Sequence, residues 1–177
     1  MSGPVVTLAE LAAQTGAVVG TSRWFEIGQG RIDAFADATE DWQFIHVDPD
    51  RAAAEVPFGG TIAHGFLTVA MLSAMAYDAL PVLAGRTMGV NYGFDRLRFV
   101  SPVPAGARIR AAFTLIEARE QAPGEIATKY GVTVEIEGRD KPALVAEWLT
   151  RSYIAAAQDA AAAPAAGAAG DPPVAPA

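Results

Sequence analysis

The dominant period of the hydrophobic positions changes at Pro81. Before it they recur mainly at helical spacing. TLAE (Thr7 to Glu10) has the capping-box pattern: the Thr7 hydroxyl reaches the amide three residues on and Glu10 reaches back. It starts a short helix that Gly16 ends. SRWFEI (Ser22 to Ile27) predicts a strand. In GRIDAFADAT, Ile32, Phe35 and Ala36 share one helical face, which predicts a short amphipathic helix. The stretch with Pro49, Pro57, Gly59 and Gly60 predicts no regular element. Phe66 to Leu80 is apolar on almost every side, the pattern of a helix buried all round.

After Pro81 the period becomes two. TMGVNYGFDRLRFV is mixed but extended. ARIRAAFTLIEARE places Ile109, Ala111, Phe113 and Leu115 on one face. EIATKYGVTVEIE places Ile126, Thr128, Tyr130, Val132, Val134 and Ile136 together, with Lys129, Glu135 and Glu137 opposite. PALVAEWLTRSYI aligns Leu144, Ala146, Trp148 and Ile154. These are long half-buried strands. The connections QAPGE and EGRDK are turn chemistry, so the strands they join pair antiparallel. The result is an α+β domain over 1–154, a curved antiparallel sheet wrapped around one long buried helix. An edge strand needs a cover, and a second copy supplies one, giving a homodimer or a dimer of dimers. Residues 155–177 are rich in alanine and proline with little to bury, and are expected to be a disordered tail.

The chain has 177 residues, enough for one domain with a substantial core. A net charge of −7 argues against a nucleic-acid partner, which needs a basic face, yet leaves room for a small phosphate-bearing ligand. The absence of cysteine excludes disulfides, thiolate metal sites and cysteine nucleophiles. The first residues lack the charged and apolar regions of a signal peptide. The longest apolar run, GFLTVAMLSAMAYDAL, is too short to span a bilayer. A cytoplasmic protein with no membrane partner is expected.

The chemistry concentrates in FADATEDWQFIHVDPDRAA (Phe35 to Ala53). Asp41 stands five residues before His46. In one reading Asp41 caps a helix end and His46 is a satisfied, half-buried histidine; in the other the two act together on a substrate. Asp41, His46, Asp48 and His64 are also conceivable metal ligands, but no H-x-H or H-E-x-x-H spacing supports a metal, and none is expected. There is no G-x-S-x-G elbow, no G-x-G-x-x-G and no phosphate-binding loop with its lysine. In IAHGFLTVAMLSAM, Gly65 opens the apolar helix. Unpaired amides and the dipole favour negative charge there, and glycine admits a ligand to the backbone. Ser73 is either a small core residue bonded to its own helix or a polar group of the site.

Taken together, FADATEDWQFIHVDP, TIAHGFLTVAMLSAM and NYGFDRLRFVSPVPAGARIRA resemble the MaoC-like dehydratase family, in particular its R-specific enoyl-CoA hydratases with a single hot-dog domain. The resemblance spans about residues 20 to 154. It implies that Asp41 and His46 are the catalytic pair, that the Gly65 amide serves the thioester oxygen, and that Ser73 helps to place the thioester. The family usually has Asn-Pro between the two catalytic residues; this chain has Gln43-Phe44, of which Gln43 still offers a hydrogen-bonding side chain to the substrate. The implied reaction is hydration of a trans-2-enoyl thioester to an R-3-hydroxyacyl thioester, and the reverse dehydration. No separate cofactor is implied, because coenzyme A or an acyl carrier protein comes as the substrate's handle. Arg96, Arg98, Arg108 and Arg110 are either coenzyme A phosphate contacts or ordinary surface charge. Trp42, Phe44 and Ile45 would wall the site against water or simply pack in the core. An acyl-CoA thioesterase and a non-catalytic acyl-thioester-binding subunit are the alternatives on the same fold.

Overall fold

The computed structural model describes residues 3–155. The expected tail, apart from Ala155, lies outside them. In chain order the elements are β1 (Val5–Val6), α1 (Leu8–Ala12), β2 (Val18–Thr21), β3 (Phe25–Ile27), α2 (Gln29–Thr39), α3 (Phe44–Val47) and α4 (Pro49–Glu55). Then follow α5 (Gly65–Ala79), β4 (Val82–Leu83), β5 (Arg86–Phe99), β6 (Ala107–Ala122), β7 (Glu125–Ile136) and β8 (Leu144–Ile154). Thr7 and Glu10 form the capping box of α1 reciprocally: the Thr7 amide donates to the Glu10 carboxylate at 2.7 Å and the Glu10 amide to the Thr7 hydroxyl at 3.2 Å.

Three expectations need correction. The stretch after Asp41 is not irregular, since it holds α3 and α4. Asp48 accepts the Arg51 amide at 3.0 Å, and Pro49 occupies the first helical turn, where its missing N–H costs nothing. The Asp48-Pro49 pair therefore starts a helix where no regular element was expected. Second, SRWFEI is a strand only over Phe25–Ile27.

The sheet runs β2-β6-β7-β8-β5, with β3 pairing β6 beyond β2. All its pairings are antiparallel. The turns after β6 and β7 join neighbours, as their sequences predict, while β5 crosses to the far edge beside β8. Register places Phe113 opposite Val132, Val132 opposite Ala146, and Tyr130 opposite Trp148. Period two then puts all of these on the face toward α5, where they form the core with Ile109, Ala111, Leu115, Val134 and Leu144. Register shifts in β5 and β6 mark bulges, which add bend and twist to the long strands.

Third, α5 is not buried on every side. Leu67, Thr68, Met71, Leu72 and Met75 face the sheet, while Phe66 is 69% and Tyr77 67% exposed. The helix lies close to the sheet at both ends, and a glycine permits each approach. A Cβ on Gly20 of β2 would stand 2.3 Å from the Ala79 carbonyl oxygen at the helix C-terminus. A Cβ on Gly65 would stand 2.9 Å from the Phe99 ring at its start. Among the described residues, no helix is long and apolar enough to cross a membrane.

The Gly20 contact is with backbone, which cannot rotate away. Gly20→Ala is expected to lower stability by roughly 1–3 kcal/mol, as overpacking does. Urea unfolding measures it; an unchanged midpoint would show that helix and strand part freely.

Candidate active site

α2 ends because Glu40 takes the left-handed conformation, with φ of 58°. It is the one non-glycine residue with positive φ among the described residues. That conformation disfavours a side chain by roughly 1 kcal/mol and turns the chain sharply. Asp41 emerges from this turn. Its side chain is 54% exposed, and its carboxylate accepts the Gln43 amide in a long bond of 3.4 Å. The single turn α3 then carries His46 inward, where it is buried.

Gln29 of α2 fixes this turn from beneath. Its Nε2 donates to the His46 carbonyl at 2.7 Å, and its Oε1 accepts the Thr61 hydroxyl at 2.6 Å. The segment Thr61–Ala63 runs past α3. The Ile62 amide donates to the Ile45 carbonyl at 3.0 Å, and the Ala63 amide to Val103 at 2.8 Å. The Ile62 carbonyl is left facing the His46 ring, and Nδ1 lies 2.7 Å from it.

That contact assigns the tautomer. A carbonyl only accepts, so His46 Nδ1 bears the hydrogen and Nε2 keeps the lone pair of a neutral ring. The same logic applies to His64, whose Nε2 donates to the Asp41 carbonyl at 2.9 Å. Its Nδ1 keeps a lone pair and is buried, with no hydrogen-bond partner among the described residues. The two imidazoles stack at 3.8 Å between centroids, and Phe35 lies 5.1 Å from His64. Burial pushes the His46 pKa below the ordinary imidazole value. The Ile62 bond opposes that shift, His64 adds to it and Asp41 opposes it.

His46 and Gly65 line one cavity of about 300 Å³, together with Ile62, Thr68, Phe99 and Val103. Among the described residues no side chain caps the start of α5, so the amide end of the helix can meet a ligand there. Asp41 lies beside this cavity. It, His46 and His64 offer ligand-type atoms within 4.8 Å of one another. Two of the four ring nitrogens already donate to carbonyls, so a cation would be left with His46 Nε2, His64 Nδ1 and the Asp41 carboxylate. Asp48 is engaged as the cap of α4.

The other predicted residues lie elsewhere. Gln43 is exposed. Ser73 lines a different cavity and accepts a hydrogen bond from Asn91 at 3.2 Å. Arg108 pairs with Glu137, Arg110 pairs with Glu135 and lies over Trp24, and Arg96 lies 3.6 Å from Glu147. Arg98 is exposed on β5. The apolar wall is only partly in place: Phe44 and Ile45 are half-buried, but Trp42 is 56% exposed and donates to Asp37. No sequence pattern assigns Gln29 a positioning role, and His64 enters the sequence reading by itself only as a conceivable metal ligand. The histidine just before the helix-opening glycine was the available signal for the second.

Comparison with known proteins identifies the family and the fold. The family model described as a MaoC-like domain matches residues 10–136. The chain is 53% identical to Nodulation protein N of Rhizobium meliloti, over 81% of this chain and 89% of that one. It is 46% identical to 3-hydroxyacyl-thioester dehydratase Z of Mycobacterium tuberculosis, over 84% and 97%. Among solved structures, the (R)-hydratase from A. caviae involved in PHA biosynthesis superimposes with a TM-score of 0.62 at 25% identity, over 75% of this chain and 94% of that one. The unliganded R-hydratase from Pseudomonas aeruginosa gives 0.67 at 22% identity, over 97% of each, and shows the shared fold. The architecture is the hot-dog fold, and the chain belongs to the MaoC-like dehydratase family.

Proposed function

We propose that the chain is a hydro-lyase that adds water to trans-2-enoyl-CoA, giving R-3-hydroxyacyl-CoA, and runs the reverse dehydration. The observation that carries this reading is the His46–Ile62 bond, which leaves a basic Nε2 on a buried ring in the same cavity as the Gly65 helix start. The family membership supports lyase chemistry.

In this reading the enoyl thioester lies with its carbonyl oxygen at the Gly65 amide. Water attacks C3 and negative charge moves to that oxygen. A positioned backbone donor there is worth on the order of 10²–10³ in rate. His46 Nε2 takes the proton from water, and the Asp41 carboxylate holds the same water. A ring nitrogen of His46 and an Asp41 carboxylate oxygen lie within 4.8 Å of one another, a separation that one water with hydrogen bonds of about 2.8 Å can bridge. A proton then returns to C2 on the same face. His64 is a positioning residue: it ties the Asp41 carbonyl and stacks on His46. Coenzyme A is the handle of the substrate. A second copy covering β5 is part of the same reading, since Met88, Val90 and Tyr92 on that edge strand are exposed.

Crotonyl-CoA tests the reaction. Loss of the enoyl absorbance marks a hydratase, release of free thiol a thioesterase, and neither a binding protein. Asp41→Asn and His46→Gln each should remove more than about nine-tenths of the hydration rate, because acid–base help is worth roughly 10²–10⁴. The double variant should be little slower than the worse single one, as groups acting on one water are non-additive. Singles that both kept more than a tenth of the rate, with melting curves intact, would overturn the assignment.

His46 also sets a pH dependence. Its neutral form is the base and its pKa is lowered, so kcat/KM should stay level down to about pH 6.5 and fall only below the ordinary imidazole value. Stability follows the same sign. The unfolded chain takes up the proton first as pH falls through about 6.5, so the contribution present above that value is lost toward the lower folded pKa. His46→Gln should flatten this part of the stability–pH curve, and thermal melts between pH 5 and 8 will show whether it does.

A further inference from the structure

A second cavity, of about 150 Å³, lies between the C-terminal half of α5 and the sheet. Ser73 stands on its wall, eight residues beyond Gly65, so it lies about 12 Å further along the helix axis at 1.5 Å per residue. The sheet side of this cavity is polar. On β7 and β8 the pairs Val132–Ala146 and Tyr130–Trp148 give way to Thr128–Thr150 and Ile126–Ser152. Thr128 and Thr150 hydrogen-bond to each other, and the Asn91 amide reaches Ser73 from β5.

Arg86 closes this ring. A Cβ on Gly89 would meet its Nη2 at 1.8 Å and its Cζ at 2.7 Å, so the guanidinium lies against the backbone in the room that only a glycine leaves. Arg151, the other arginine of the cavity, pairs with Glu125 and lies over Tyr92. Arg86 enters no ion pair among the described residues. A half-buried guanidinium among hydroxyls is costly to keep unmatched, and its fork fits a carboxylate. A pocket for a plain hydrocarbon end needs none of these groups.

Resting on the hydro-lyase reading, we propose that this cavity receives a carboxylate carried on the far end of the acyl chain. Three bonds of an extended chain span at most ~3.6 Å, so ~12 Å asks for an acyl chain of roughly ten carbons. The substrate class is then an enoyl thioester of about that length with an ω-carboxyl group. Arg86 pairs with that group, and Asn91 and Ser152 offer further donors.

The test compares two trans-2-enoyl-CoA substrates of about ten carbons, one ending in methyl and one in carboxyl. The full chain, Arg86→Gln and Gly89→Ala are assayed, and the readout is the ratio of kcat/KM for the two. Gly89→Ala displaces the guanidinium while keeping its charge on the protein. The parent should favour the carboxyl end by about tenfold or more, and both variants should lose that preference. Equal ratios in all three proteins, with melting curves intact, would overturn the proposal. So would calorimetric binding of free glutarate that Arg86→Gln abolishes while the parent's substrate ratio stays at one, since the site would then serve a free anion. Hydration of crotonyl-CoA by the parent protein separates the two levels. Turnover without a carboxyl preference defeats this proposal alone, whereas no turnover of any enoyl-CoA defeats the hydro-lyase reading.

Discussion

The hydrogen bond from His46 Nδ1 to the Ile62 carbonyl is the contact on which the candidate chemistry depends. It chooses the tautomer, and so decides which nitrogen can accept a proton. It also joins two stretches sixteen residues apart. Ile62 could not present its carbonyl without its own neighbours: its amide is tied to Ile45 and the next residue to Val103. The Gln29 amide completes the frame by holding the His46 backbone and the Thr61 hydroxyl together. The buried His46 ring is therefore oriented directly by a backbone carbonyl, which no side-chain substitution removes.

α5 is the ruler of the molecule. Its start borders one cavity and its second half borders another, and close contacts at Gly65 and Gly20 hold it against the sheet at each end. Packed interiors deform little, so the spacing between the two cavities is a fixed property of the fold. On the proposed reading, the length of a bound acyl chain is measured against that spacing. The polarity of the far cavity comes from a few inward positions on β7 and β8, where the apolar alternation of the sheet is broken by threonine and serine.

Much of this was legible in the sequence, for physical reasons that differ from place to place. Ile109, Ala111, Phe113 and Leu115 are fully buried because alternation along a strand maps directly onto one face. α5 was legible as a helix but not in its exposure. Apolar residues such as Phe66 and Tyr77 do not announce whether they face their own sheet or something else. α3 and α4 were missed because short helices show too few repeats to reveal a period, although Asp48-Pro49 carried a start signal. Asp41, His46 and Gly65 stood out through the resemblance of their segments to a known family. Gln29 and His64 act through contacts seventeen and twenty-three residues away, which no local pattern encodes. Ser73 was assigned to the thioester by the same resemblance; two turns of helix beyond Gly65, it lines the other cavity.

The two histidines have a practical consequence. The chain contains only these, and they stack on one another beside Asp41. Every imidazole signal of the protein therefore originates in this site, without background from the surface. Each ring has one nitrogen committed to a carbonyl, so the ring resonances report two defined tautomers in direct contact. A nuclear magnetic resonance spectrum of labelled histidine becomes a view of the site alone, in which ligand binding and proton uptake can be followed on the intact molecule.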